Sequence, residues 1–155
     1  IGLVYTPART IDGGKKLHPA YYILADPGQL REVLSNLIDN AVKYTRQGTV
    51  TIDIIGDAAN VSIRVSDTGI GIPPEDVVHL FQKFYRVDNS DTREIGGTGL
   101  GLFISRQLVE ANNGHVTVES AYGKGSTFTV QFPRMTNEQA QSALNQATPL
   151  AASKL

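Results

Sequence analysis

From Leu30 onward the apolar residues recur with the spacing of a helix. Leu30, Leu34, Leu37, Ile38 and Ala41 form one stripe, while Glu32, Asn36, Asn40 and Lys43 keep the same spacing on the opposite side. The pattern predicts a helix with one face for a core and the other presenting carboxamides and an amine together. Its start is marked by Asp26-Pro27-Gly28-Gln29: Asp26 can cap, Pro27 suits the first helical position, and Gln29 sits three after the cap. The helix should run to about Thr45 and stop before Gly48.

The pattern then changes period. Val50, Ile52 and Ile54 alternate with polar residues, as do Val61, Ile63 and Val65, with Gly56 to Asn60 joining two strands. Strict alternation predicts an antiparallel sheet buried on one face. Pro73-Pro74-Glu75 opens a short helix expected through Phe84, and Phe81, Phe84 and Tyr85 read as core or loop anchors. The polar stretch from about Asp88 to Gly97 reads as a mobile loop. Leu100 to Ala111 is helical again, with Leu100, Phe103, Ile104, Leu108 and Ala111 on one side. A last hairpin pairs Val116–Val118 with Phe128–Phe132. Upstream, Val4 to Ala25 reads as an extended segment, a polar loop at Gly13-Gly14 and a second strand at Tyr21 to Ala25. The predicted class is α+β: a two-layer α/β sandwich, its sheet mixed but mostly antiparallel, with helices on one face. Residues 1–134 read as one domain. Residues 135–155, rich in Ala, Gln, Ser and Asn, read as a flexible tail, with a short helix as the alternative.

Composition narrows the classes. The 155 residues suit one domain, 41% are hydrophobic, and the net charge of -1 argues against a nucleic-acid or anionic-membrane partner. There is no cysteine, which excludes disulfides, thiol nucleophiles and cysteine-ligated zinc. No apolar run approaches the roughly 20 residues of a membrane span. The chain starts at Ile1 without a secretory signal and reads as an excised fragment.

The candidate chemistry lies in four places. Asn36, Asn40 and Lys43 fall at i, i+4 and i+7; carboxamide oxygens suit magnesium that already carries phosphate oxygens, and the lysine supplies a point charge. The same triplet also fits a solvated face. Asp67-Thr68-Gly69-Ile70-Gly71-Ile72 sets a carboxylate at a strand end before alternating glycines, which let the backbone approach a flat ligand while the carboxylate accepts an amino group. An ordinary turn would look alike. Gly96-Gly97-Thr98-Gly99-Leu100-Gly101-Leu102 runs into a helix whose free N–H groups can bind an anion; it lacks the P-loop ending and follows no strand. Gly123-Lys124-Gly125-Ser126-Thr127 by itself reads as a hairpin turn. His18, His79 and His115 match no catalytic or metal spacing.

Taken in order, these segments resemble the ATP-binding domain of sensor histidine kinases, whose superfamily also holds DNA gyrase, a class of heat-shock chaperones and mismatch-repair ATPases. Asn36 to Thr45 resembles the asparagine box, Asp67 to Ile72 the first glycine box, Phe81 to Arg86 the phenylalanine box, Gly97 to Leu102 the second glycine box and Gly123 to Phe128 the third. The resemblance spans about Leu24 to Phe132 and implies the Bergerat-type ATP-binding fold.

It also implies roles. Asn40 would ligate Mg2+, with Asn36 beside it; Lys43 and Arg86 would contact phosphates of ATP. Tyr44 would pack on the adenine and Asp67 would accept its amino group, in a pocket shaped by Gly69, Gly71 and Ile72. Gly97, Thr98, Gly99, Leu100 and Gly101 would hold phosphates beneath a lid of about residues 88–98, and Thr127 would assist near the base. ATP-hydrolysing branches carry a glutamate base where this chain has Asn36. A carboxamide cannot take a proton from water near neutral pH, so hydrolysis should be slow. No histidine here sits in a phosphoacceptor pattern. The implied reaction is transfer of the γ-phosphate to a histidine on a separate phosphoacceptor and dimerisation domain of the same parent, with a response regulator downstream. The implied location is the cytoplasm, under a parent that can be anchored in the inner membrane, and the isolated domain is expected to be monomeric. The alternatives are an anti-sigma-type serine kinase and a non-catalytic nucleotide-binding domain.

Overall fold

The computed structural model describes residues 2–7, 10–12, 15–17, 20–87 and 96–147. Most of the loop expected from Asp88, the Gly13-Gly14 turn, and residues 148–155 of the tail lie outside them.

The first strand, β1 (Gly2–Pro7), precedes a small antiparallel pair, β2 (Thr10–Asp12) and β3 (Lys15–Leu17). Helix α1 (Pro27–Lys43) starts where the sequence marks it, with the Asp26 carboxylate accepting the Gln29 N–H at 2.8 Å. Strands β4 (Thr49–Gly56) and β5 (Asn60–Asp67) follow, then α2 (Pro74–Val77), α3 (Gly101–Ala111), β6 (His115–Ala121), β7 (Gly125–Pro133) and α4 (Asn137–Ala147). The main sheet has the order β1-β4-β5-β7-β6. β1 lies parallel to β4, and every other neighbouring pair is antiparallel. This is the expected mixed, mostly antiparallel sheet.

Burial alternates strictly along β5. Val50, Val65, Val116, Phe128, Val130 and Phe132 face the helices, where Val33, Leu37 and Ala41 of α1 and Val109 of α3 complete the core. Each such side chain contributes about 1.5–3 kcal/mol on leaving water. The α1 stripe is thus centred on Val33–Leu37–Ala41, with Leu30, Leu34 and Ile38 on its flanks.

Four expectations are corrected. Tyr21 to Ala25 is not a strand: burial alternates there, but among the described residues only Tyr22 makes a bridge, to Met135. The reason lies in the partner, since β7 has ended at Pro133 and Thr136 already opens α4 by exchanging bonds with Gln139. Second, the helix expected through Phe84 stops at Val77 and continues as three-residue turns, such as His79 N–H to Asp76 O and Gln82 N–H to His79 O. Third, of the two readings of Phe84, core or loop anchor, the core one fails. The residue takes φ 63, is 71% exposed and donates its N–H to the Gly99 carbonyl at 3.0 Å, so a tie to the glycine run prevails over helical periodicity. Fourth, the buried positions of α3 are Ser105 and Val109, while Ile104 is 39% exposed. A serine at an inward position had hidden the true stripe. In the tail segment, α4 holds residues 137–147 with Ala140 buried.

Candidate functional site

The polar face of α1, the ends of β5 and β7, the turns after α2 and the start of α3 enclose a cavity of about 340 Å³, within the range of small-molecule sites. Asn36, Asn40, Lys43 and Tyr44 line it from α1. Asp67, Gly71 and Ile72 line it from the first glycine loop, Arg86 from the turns, and Gly97, Thr98, Gly99 and Gly101 from the second. Ile70, Leu80, Leu102 and Phe128 supply apolar wall.

Asp67 lies in the cavity wall, 9% exposed. Its Oδ1 accepts the N–H of Gly69 at 2.9 Å and of Ser126 at 3.3 Å. Burial pushes its carboxyl above the ordinary value, and the two amides pull it partway back. Both bonds use one oxygen, which leaves the other as an acceptor for a ligand. The loop behind it is held by the β6–β7 hairpin. Gly123 N–H donates to Ile70 O at 2.7 Å, and Ile72 N–H donates to Ser120 Oγ at 2.8 Å. Gly71 takes φ 66, and a Cβ there would lie closer than 3.0 Å to the Ala121 carbonyl, so only glycine lets the loop pass under the hairpin. The Gly123–Thr127 segment is therefore more than a turn.

The cations and the start of α3 line the same cavity. Lys43 Nζ donates to the Gly96 carbonyl, and Arg86 donates to the Gly97 carbonyl at 3.0 Å. Leu100 N–H reaches Thr98 Oγ1 at 3.4 Å. Among the described residues no side chain caps α3, and its start lines the cavity with its first N–H groups and positive dipole end. Asn40 is half-buried and its carboxamide makes no side-chain hydrogen bond among the described residues. A neutral oxygen donor without a protein partner, beside an anion-binding helix start, fits a hard cation shared with phosphate. Among the described residues no group of three or more acidic, histidine or cysteine side chains forms a metal site of its own.

Three of the residues expected at the site do not line the cavity. Gly69 and Leu100 stand behind it through backbone bonds. Thr127 is a correction: its hydroxyl donates to Ser66 Oγ at 3.0 Å on the far face of the sheet. Its neighbour Ser126 is the one that points inward, 7% exposed and paired in register with Asp67. Strand parity carried that signal, since Phe128, Val130 and Phe132 place even-numbered residues inside. Sequence reasoning also missed Asp39, Leu80 and Tyr85. The Tyr85 hydroxyl donates to the Asp76 carboxylate and the phenol is pushed up to about 12, mainly by that bond. His79 bonds with Gln82, and its ring lies tilted against that of Tyr85, outside any metal-type cluster among the described residues.

Comparison with known proteins agrees with this fold. Residues 25–136 match the family of histidine kinase-, DNA gyrase B-, and HSP90-like ATPases. The chain is 51% identical over 113 residues to the circadian input-output histidine kinase CikA of Synechococcus elongatus, covering 72% of this chain and 15% of that protein. It is 44% identical over 115 residues to the sensor histidine kinase WalK of Bacillus subtilis, covering 72% of this chain and 19% of that protein. The chain therefore spans less than a fifth of either relative. Among solved structures, full-length ShkA in complex with AMPPNP superposes with a TM-score of 0.68 at 32% identity, over 87% of this chain and 26% of that one. The catalytic domain of the histidine kinase ThkA does so with 0.60 at 29% identity, over 72% and 70%. The chain belongs to the histidine kinase-, DNA gyrase B-, and HSP90-like ATPase family, and its relatives within it are sensor histidine kinases.

Proposed function

We propose that this chain is the Mg-ATP-binding catalytic domain of a sensor histidine kinase, and that in its parent it donates the γ-phosphate to a histidine on a separate phosphoacceptor and dimerisation domain. The observation that carries the reading is the lining of one cavity, which brings together the Asp67 carboxylate with one oxygen committed, two cations, the start of α3 and an Asn40 carboxamide that has no side-chain hydrogen bond among the described residues. Such a set suits a purine joined to a polyanion.

In this reading Asp67 accepts the adenine amino group, Tyr44 covers the ring, and Gly71 and Ile72 shape the slot. Asn40 and Asn36 hold the metal; magnesium, when bound, neutralises phosphate charge and keeps the chain of phosphates in one geometry. Lys43 and Arg86 exchange their carbonyl partners at Gly96 and Gly97 for phosphate oxygens, and Thr98, Gly99 and Gly101 bring backbone N–H groups to the same charge. This domain needs to supply no base, because a neutral imidazole nitrogen is itself the nucleophile; Asn36 in place of a glutamate keeps water from competing. Residues 1–134 form the nucleotide domain and 135–155 an extension. A response regulator receives the phosphoryl group downstream, and the parent places the domain in the cytoplasm.

Isothermal titration with ATP, with magnesium and with excess chelator, tests binding; a folded chain that takes up no ATP in either condition overturns the reading. Transfer is tested by adding an acceptor-domain fragment and radiolabelled ATP. An acid-labile phosphoprotein supports a histidine acceptor, and an acid-stable phosphoester points to the serine-kinase branch. Fast ATP turnover by the chain alone contradicts the role given to Asn36.

A further inference from the structure

Ser105 faces inward from the middle of α3, 2% exposed, at the position where the apolar stripe of Leu102 and Val109 calls for a hydrocarbon. A buried hydroxyl without a partner is costly, so its presence depends on what it binds. It binds Asn36, whose Nδ2 donates to Ser105 Oγ at 2.8 Å across 69 residues of sequence. The other end of the same carboxamide lies against the start of α3. A Cβ built on Gly101 would fall closer than 3.0 Å to Asn36 Oδ1, and both Asn36 and Gly101 line the cavity whereas Ser105 does not. The nitrogen of this side chain is thus held by a buried hydroxyl, and its oxygen lies close against Gly101 at the start of α3.

We propose that Ser105 is a positioning residue of the metal and phosphate end of the cavity: by taking the amide hydrogen of Asn36 it turns that carboxamide's oxygen, the only hard-cation donor it has, toward the bound cation. The inference rests on the Mg-ATP reading above. A carboxamide presents an acceptor on one side and two donors on the other, and a flip would aim N–H groups at a metal. Val33, Leu37 and Val109 already pack α1 and α3 on apolar contact, so a polar pair is not required to join the helices. What the hydroxyl adds is orientation. Groups that orient a metal ligand without touching the metal are typically worth 10- to 100-fold in affinity.

The test measures dissociation constants of the 155-residue chain for ATP with magnesium and for ATP with excess chelator, in wild type, Ser105→Ala and Ser105→Thr. Ser105→Ala is expected to weaken binding about tenfold with magnesium and less than twofold without it. Ser105→Thr, which keeps the hydroxyl, is expected to restore the wild-type value to within about threefold. Equal losses in the two conditions, or no loss in either, overturn the positioning role. A wild-type chain that binds no ATP at all instead overturns the parent reading, and this inference with it. Independently of any variant, the Asn36 side-chain carbonyl carbon is expected to shift in the NMR spectrum when magnesium is added to the ATP-loaded wild type. A shift confined to Asn40 overturns the proposal.

Discussion

Ser126 lies directly across the β5–β7 ladder from Asp67, and its backbone N–H donates to the Asp67 Oδ1 at 3.3 Å. The bond joins residues 59 apart in sequence. It commits one carboxylate oxygen to the fold and leaves the other free of those two bonds, so the same side chain is both tied into the sheet and the group most suited to a purine.

Asp67→Asn separates those two roles. Burial raises the Asp67 carboxyl above its ordinary 3.8, so the folded chain takes up that proton before the unfolded chain does as pH falls. Ionised Asp67 therefore costs the fold stability at neutral pH, and the cost fades as pH drops through the window just above 3.8. Asp67→Asn should be at least as stable as wild type at pH 7, with the advantage gone near pH 3.8, as read by thermal melts across pH. Its ATP affinity should fall roughly 50-fold, because an N–H then meets the adenine amino group.

Gly101→Ala tests the close approach of α3 to α1. Alanine favours a helix over glycine by at most about 1 kcal/mol, a gain set against the displaced Asn36 and its bond to buried Ser105, so the melting temperature should hold or fall. The added Cβ would nevertheless displace the Asn36 oxygen. Mg-ATP affinity is expected to drop about tenfold by titration calorimetry. An unchanged affinity would show that Asn36 has no part in holding the metal.

Tyr85 provides a spectroscopic marker. Its bond to Asp76 favours the neutral phenol, so that contribution to folding is complete below the ordinary 10.0 and disappears as pH rises toward about 12. Ultraviolet titration should show one tyrosine ionising near 12, absent in Tyr85→Phe and moved back toward 10.0 in Asp76→Asn.

Asn112 closes the opposite end of the helix pair. Its Oδ1 accepts the Asp26 N–H at 2.7 Å, and its Nδ2 donates to Gln29 Oε1 at 2.7 Å and Leu108 O at 2.8 Å. Asn112→Ala should cost about 2 kcal/mol in urea unfolding and leave ATP affinity within about twofold, since Asn112 does not line the cavity.

Much of this was written locally. The Asp26 cap, the period of α1, the alternation of β5 and β7, and the order of the glycine segments each depend on residues within one turn or one strand, so the sequence by itself determined the fold class, the helix that carries Asn36, Asn40 and Lys43, and the placing of Asp67 at a strand end. The tertiary structure alone decided matters of pairing. Whether Ser126 or Thr127 reaches the cavity follows from the register of β7 on β5, and the outward turn of Phe84 follows from its bond to Gly99. That Ser105 is buried follows from an asparagine on another helix. Periodicity reports what a residue prefers among its neighbours along the chain; a hydrogen bond between segments 59 or 69 residues apart can reverse that preference, and it becomes visible only once those segments meet.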